Sequence, residues 1–206
     1  FTMKNNMTPW DQRIARIIVK PLAKTPITPN QLSFISLVIA LIGAGLISTG
    51  DTTSANLGAG LFAFSRFLDH FDGELARFKS MTSKLGYLID YYAGACSYSV
   101  LFLCMGIGFR NHQFGNLAIL LGCIGCIASI ISLFANLRVD NEMHGEETVD
   151  AVGYPGFAGF ELEDGIYLIA PVTWLGYLFP FFVAAALGSI VYTAWTVSLT
   201  IRRRQS

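Results

Sequence analysis

The sequence predicts an all-α integral membrane protein: six transmembrane helices plus an N-terminal interfacial amphipathic helix. Three observations carry this. Of the 206 residues 53% are hydrophobic and only 14% charged, a balance that soluble domains of this size seldom reach. The apolar residues gather into runs near the length that crosses a bilayer. Basic residues cluster before the first run and after the last, at Arg13, Arg16, Lys20 and Lys24 and at Arg202, Arg203 and Arg204. Formal net charge is zero, so placement of charge is informative where its average is not.

The elements follow in order. Residues 8–24, "TPWDQRIARIIVKPLAK", interleave bases with Trp10, Ile14, Ile17, Ile18 and Leu22 at helical spacing. That pattern predicts a helix lying in the membrane interface, ending near Pro21 and followed by the turn-like "TPITPN". Ahead of it, "FTMKNN" lacks the charged-then-apolar pattern of a signal peptide, and Phe1 and Thr2 read as an appended remnant. Six apolar segments come next, at 31–49, 54–78, 83–109, 114–137, 164–179 and 181–201. The fifth is the shortest, and Pro171 predicts a kink in it. Residues 1–206 are expected to form one membrane domain, with 31–201 as the six-span bundle.

An even number of spans puts both ends on one side, and the positive-inside rule makes that side cytosolic. The connections at 50–53, 110–113 and around 180 then face outward, and those at 79–82 and 138–163 face the cytosol. Arg110 is a single exception. The four cysteines, Cys96, Cys104, Cys123 and Cys126, all lie in apolar stretches and read as small packing residues. Cys123-x-x-Cys126 has a redox or zinc spacing, but no second cluster accompanies it.

The charges of "DHFDGELARFKSMTSKLGYLIDYYAG", residues 69–94, break this apolar background. An ionisable residue inside a span is costly unless paired, hydrated or metal-bound, so it points to function. Asp69 and Asp72 share a helix face. Asp90, on the next span, falls at nearly the same depth when measured from the turn at 79–82. Three carboxylates so placed suit Mg²⁺ or Mn²⁺, ions that serve phosphate chemistry. Gly73 and Ala76 offer bare surface for a ligand, and Arg77 is positioned to meet a phosphate. The alternative is a structural ion pair of Asp72 or Glu74 with Arg77 or Lys79, which would leave Asp69 and Asp90 unpaired. An ion path in a small transporter is a further alternative, but no inverted repeat is evident.

Asp69-x2-Asp72-Gly73-x2-Ala76-Arg77-x8-Gly86-x3-Asp90 resembles the signature of the CDP-alcohol phosphotransferase (CDP-alcohol phosphatidyltransferase) family. The resemblance extends to the interfacial helix, "TPNQLS" at the first span, and the six spans. It implies a homodimeric membrane enzyme that moves a substituted phosphoryl group from a CDP-alcohol, such as CDP-diacylglycerol, to a small alcohol acceptor and releases CMP. The metal-dependent site would open to the cytosolic leaflet among membrane lipid, with no nucleic-acid partner. By the same resemblance, Asp69, Asp72 and Asp90 would hold divalent metal and through it the diphosphate. Gly73 and Ala76 would make room for cytidine and ribose, Arg77 would hold phosphate, and Gly86 would let the third span pack beside the site.

The family pattern departs at one position. It asks for a fourth Asp at position 94, the presumed general base and a ligand of a second metal; here stands Gly94. No acid follows Asp90 until the fourth span has ended. Three explanations compete: a catalytically silent relative that still binds a CDP-alcohol; a substitute base such as His70, Tyr91, Tyr92 or a loop acid; or an acceptor already ionised, such as a phosphate. His70 points about 100° away from Asp69 around a helix. The purely structural alternative is that Gly94, with Ala93 and Ser97, forms a small face for close helix contact. Residues 140–164 carry eight acids and neither Lys nor Arg. This stretch reads as a solvated loop or, through Tyr154, Phe157 and Phe160, as a lid whose acidic rim favours a cationic acceptor. Arg138 is the nearby base suited to an anionic one, and His112 and His144 read as solvated.

Overall fold

The computed structural model describes residues 18–144, 156–157 and 160–203. Helices dominate: α1 (Pro29–Ser48), α2 (Thr52–Lys79), α3 (Lys84–Gly108), α4 (Asn116–His144), α5 (Ile169–Trp174) and α6 (Leu178–Arg203). Between α4 and α5 come two short paired strands, β1 (Gly156–Phe157) and β2 (Phe160–Glu161), and a 3₁₀ helix, Leu162–Leu168. Residues 1–17, which hold most of the predicted interfacial helix, lie outside the described residues; 18–22 are helical.

The starts of the helices are written in local chemistry. Thr28 caps α1 with a capping box: its hydroxyl accepts from the Gln31 amide at 3.3 Å, and the Gln31 side chain accepts from the Thr28 amide at 2.9 Å. Pro29 follows in the first turn, where its missing N–H costs nothing. Asp51 caps α2 and Ser83 caps α3. Ser80, in the left-handed region with φ 53°, closes α2 and sets up the tight turn into α3.

Exposed apolar side chains cover the bundle, and its interior mixes large apolar side chains such as Phe62, Leu101, Met105 and Phe182 with small and polar ones. Ser33, Ser36, Ala40, Gly43, Ala44 and Ile47 form the buried stripe of α1. On α4, Leu117, Leu120, Ile124, Ile127, Ile131 and Phe134 are among the exposed residues, an apolar stripe at helical spacing too large to leave in water. The protein is an integral membrane protein. Among the described residues four helices are long and apolar enough to cross a bilayer: α1, α3, and the segments Asn116–Arg138 of α4 and Leu178–Ser198 of α6. At 28 residues α2 has the length, but it carries the charges of the site.

The fifth predicted span differs from expectation. In place of one helix over 164–179 there are seven residues of 3₁₀ helix and six of α-helix. Pro171 sits in the first turn of α5, so it starts that helix and does not kink one. Gly176, at φ 82°, reverses the chain, and α6 begins at Leu178, earlier than the predicted 181. Trp174 donates its indole N–H to the Asn56 carbonyl at 3.0 Å, fixing the end of α5 to the start of α2.

α1 packs on α2 and α3, α3 on α4, and α4 on α6. The α1–α2 crossing is close: a Cβ on Gly43 would stand 2.7 Å from the Gly58 carbonyl oxygen and 2.9 Å from the Phe62 nitrogen, both backbone atoms. This crossing holds α1 against the α2 face that bears the acids. Gly43→Ala is expected to destabilise the bundle by about 1–3 kcal/mol, as overpacking does, read as a lower unfolding midpoint in detergent. Among the described residues no cysteine is in a disulfide. Cys96 departs from its expected packing role, because its side chain is exposed on α3.

Candidate active site

The three acids of the signature converge. Asp69 and Asp72 on α2 and Asp90 on α3 each offer a carboxylate oxygen, and these oxygens all lie within 4.8 Å of one another. Asp69 and Asp72 are buried and Asp90 half-buried. Such a set of oxygens, from two helices joined by a tight turn, fits a hard divalent ion such as Mg²⁺ or Mn²⁺.

Two serines of α1 aim the acids. Ser33 donates to Asp72 in a very short hydrogen bond, and Ser36 donates to Asp69 at 3.1 Å. Both serines are buried, and their spacing of three matches that of the acids they meet. Neither was singled out in the sequence; the signal was Ser33 and Ser36 on the inward face of a span, where polar side chains need partners. Outer partners of metal ligands are worth about 10- to 100-fold in metal affinity. Ser33→Ala is therefore expected to weaken Mn²⁺ binding by about that factor, measured by titration calorimetry, with the helical content unchanged.

The other missed residue is Arg66. It is 9% exposed, and its guanidinium lies 3.0 Å from an Asp69 carboxylate oxygen and 5.0 Å over the Tyr98 ring. The expectation that Asp69 lacks a basic partner is thus corrected. Arg66 escaped notice because it lies just before the motif, one helical turn from Asp69. A charge so deep in an apolar run was the available signal.

The remaining motif residues divide. Arg77 is half-exposed and pairs with Glu74 at 2.7 Å, so one of the anticipated structural ion pairs exists. It leaves the acid cluster untouched. A Cβ on Gly73 would meet only the Arg77 guanidinium, at 3.8 Å, so the glycine is bare where Arg77 passes. Ala76 is half-buried one turn below Asp72. Among the described residues Lys79 pairs with no acid; it donates to the Thr25 and Ile27 carbonyls, both at 2.7 Å. That ties the end of α2 to the segment before α1, where Val19, Leu32, Phe71 and Leu75 form a buried cluster. A Cβ on Gly86 would be 3.2 Å from the Ser83 hydroxyl and 3.3 Å from the Asn30 side chain, so this glycine permits a close approach of α3 to α1. Beside it, Thr28, Pro29, Asn30, Met81, Thr82 and Ser83 line a cavity of about 440 Å³, one turn from Ser33.

Gly94 faces none of the substitute bases. A Cβ there would meet the two terminal nitrogens of Arg66, at 3.7 and 4.0 Å, and no other helix within 4 Å. Ala93 and Ser97, expected to share a small face with Gly94, are buried, while Gly94 itself faces the Arg66 side chain. His70 lies toward Tyr167, with ring centroids 6.5 Å apart, and Tyr91 toward Tyr87, at 5.3 Å. Tyr92 and Arg138 are exposed. His112 is exposed but stacked on Phe179 at 4.8 Å, at the end of the bundle opposite the acids. Phe157 and Phe160 pair across the short β1–β2 hairpin. Tyr154 and the acids at 146, 147 and 150 lie outside the described residues.

A sequence model of CDP-alcohol phosphatidyltransferases matches residues 26–202, most of the chain. The chain belongs to the CDP-alcohol phosphatidyltransferase family. The bifunctional IPC transferase and DIPP synthase of Rubrobacter xylanophilus is 38% identical over 69 residues, 34% of this chain and 15% of that protein. The fold resembles that of Mycobacterium tuberculosis phosphatidylinositol phosphate synthase (PgsA1) with CDP-DAG bound. The TM-score is 0.70 at 17% identity, covering 91% of this chain and 94% of that one. The same synthase in complex with manganese and citrate gives a TM-score of 0.67 at 16% identity, over 92% and 88% of the two chains.

Proposed function

We propose that this CDP-alcohol phosphatidyltransferase transfers a substituted phosphoryl group from a CDP-alcohol to the hydroxyl of a small acceptor, releasing CMP, in phospholipid synthesis. The observation that carries this is the convergence of Asp69, Asp72 and Asp90 within 4.8 Å, in a member of this family. CDP-diacylglycerol is the donor in this reading, supported by the bound CDP-DAG of the mycobacterial synthase.

Asp69, Asp72 and Asp90 are the metal ligands in this reading. A divalent ion on them would neutralise the diphosphate and stabilise CMP as it leaves. Ser33 and Ser36 hold two of the carboxylates in place before the donor arrives. Gly73 and Ala76 leave space for cytidine and ribose, and Arg77, half-exposed beside Gly73, exchanges Glu74 for donor phosphate. Gly86 brings α3 close to α1, so that the N-termini of both helices flank the 440 Å³ cavity, where their dipoles favour an anion. Gly94 takes no proton. The acceptor's proton therefore goes to another group, or the acceptor arrives already ionised.

The reading includes six passes, with the short Leu162–Trp174 stretch as the fifth. α4 and α6 run antiparallel, as the Asn136–Tyr192 contact near the end of one and within the other supports. Both termini and the site then lie on the cytosolic side, and the protein works as a homodimer. Divalent-dependent release of CMP from CDP-diacylglycerol, with a panel of neutral, cationic and phosphorylated acceptors, tests the activity. Turnover with one acceptor class establishes it. Donor binding without turnover identifies a silent binder; absence of donor binding overturns the reading.

A further inference from the structure

Gly94 and Arg66 belong to different helices and meet at the edge of the acid cluster. The guanidinium is fixed there three ways: 3.0 Å from Asp69, over the Tyr98 ring at 5.0 Å, and by burial, at 9% exposure. It fills the direction in which a side chain at 94 would point, 3.7 Å from the Cβ position. An acid at 94 would meet a cation already in place and pair with it before it could bind a metal.

We propose that Arg66 takes the place of a second divalent ion. The chain holds one Mg²⁺ or Mn²⁺ on Asp69, Asp72 and Asp90, and the Arg66 guanidinium binds phosphate oxygens of the donor from the side where a second ion would otherwise lie. This rests on the functional reading above for the identity of the phosphate.

Charge balance supports it. Removing one carboxylate and one divalent ion from a four-acid, two-ion centre lowers its charge by one unit. Arg66 restores that unit. The chain's three acids and one guanidinium carry a net charge of minus two, which one divalent ion neutralises. A second ion would have to sit beside a guanidinium that stays protonated at every accessible pH, with no carboxylate at 94 to share it. Chemistry supports it too: the planar guanidinium matches phosphate in a two-point hydrogen bond and is weakly enough hydrated to work in a buried site.

The test uses the full chain purified in detergent and titrated with Mn²⁺ alone, the bound ions counted by electron paramagnetic resonance. One magnetically isolated Mn²⁺ per chain is expected; two ions, or none, overturns the proposal. Arg66→Gln is expected to bind Mn²⁺ more tightly, because a nearby positive charge is gone, and to lose about tenfold in affinity for CDP-diacylglycerol, the loss of one charged hydrogen bond. If Arg66 only braced the fold, Mn²⁺ affinity would fall with the loosened Asp69, and that result overturns the proposal. Arg66→Gln combined with Gly94→Asp is expected to raise the count to two ions, with a spin-coupled signal. A single ion in the unmodified chain that binds no CDP-diacylglycerol would refute the donor assignment while leaving the one-ion centre standing.

Discussion

Asp72→Asn is expected to abolish divalent-dependent CMP release, by about 10³-fold or more. Asp72 is 5% exposed and already receives the Ser33 hydroxyl, which holds it in its place in the site. An amide keeps the shape but loses the charge that a hard cation needs. Ion-assisted stabilisation of a leaving phosphate is worth several kcal/mol, and about 4 kcal/mol is about 10³ in rate. The measurement is single-turnover CMP release at saturating Mn²⁺, with Mn²⁺ affinity determined in parallel. Asp51→Asn is the control. Asp51 lies at the other end of α2, where the Ser54 amide donates to its carboxylate and holds it below the usual carboxylate range. Asparagine caps a helix nearly as well, so that variant should keep full activity. Loss of activity in both, or in neither, would remove the metal assignment from Asp72.

Arg66→Gln is expected to destabilise the protein stripped of divalent ions by about 3 kcal/mol, the scale for leaving a buried charge without its partner. Asp69 would keep the Ser36 hydroxyl at 3.1 Å but lose its ion pair, with another carboxylate close by. Added Mn²⁺ should restore most of the loss, because an ion on the cluster supplies the missing positive charge by mass action. Thermal unfolding in detergent, with chelator and then with Mn²⁺, reads both effects. An unfolding midpoint equal to that of the unmodified chain under chelator would show that Asp69 is satisfied without Arg66.

The sequence carried the architecture well because the bilayer imposes a simple rule: long apolar runs become helices. The apolar segments expected from 31, 54 and 83 came within two residues of the helix starts, which Thr28, Asp51 and Ser83 set by capping. The stretch 162–177 was not, because a run of apolar residues has the same composition whether it winds as one helix or as a 3₁₀ turn, a short helix and a reversal. There Pro171 and Gly176 decided the outcome through backbone geometry, not hydropathy. The acid cluster was legible because helix periodicity and a short turn fix the relative depth of Asp69, Asp72 and Asp90. Its surroundings were harder to read. Whether Ser33 or Arg66 meets the acids depends on the rotation of α1 and α2 about their axes, set by contacts such as Gly43 against Gly58. Gly94 was read as the place of a missing base, with close helix contact as the structural alternative; that the Arg66 side chain lies against it depends on the same rotation.

The meeting of Gly94 and Arg66 has a consequence for how such a chain could have arisen. The two positions are 28 residues apart, yet they share one electrostatic duty. An ancestor with an acid at 94 that gained arginine at 66 would have had its fourth ligand captured by the new cation. One that lost the acid first would have kept an ion with too few ligands. Either single step passes through an impaired centre, so the two positions should be inherited as a pair: relatives with an acid at the place of Gly94 should lack arginine at the place of Arg66, and those with glycine there should keep it.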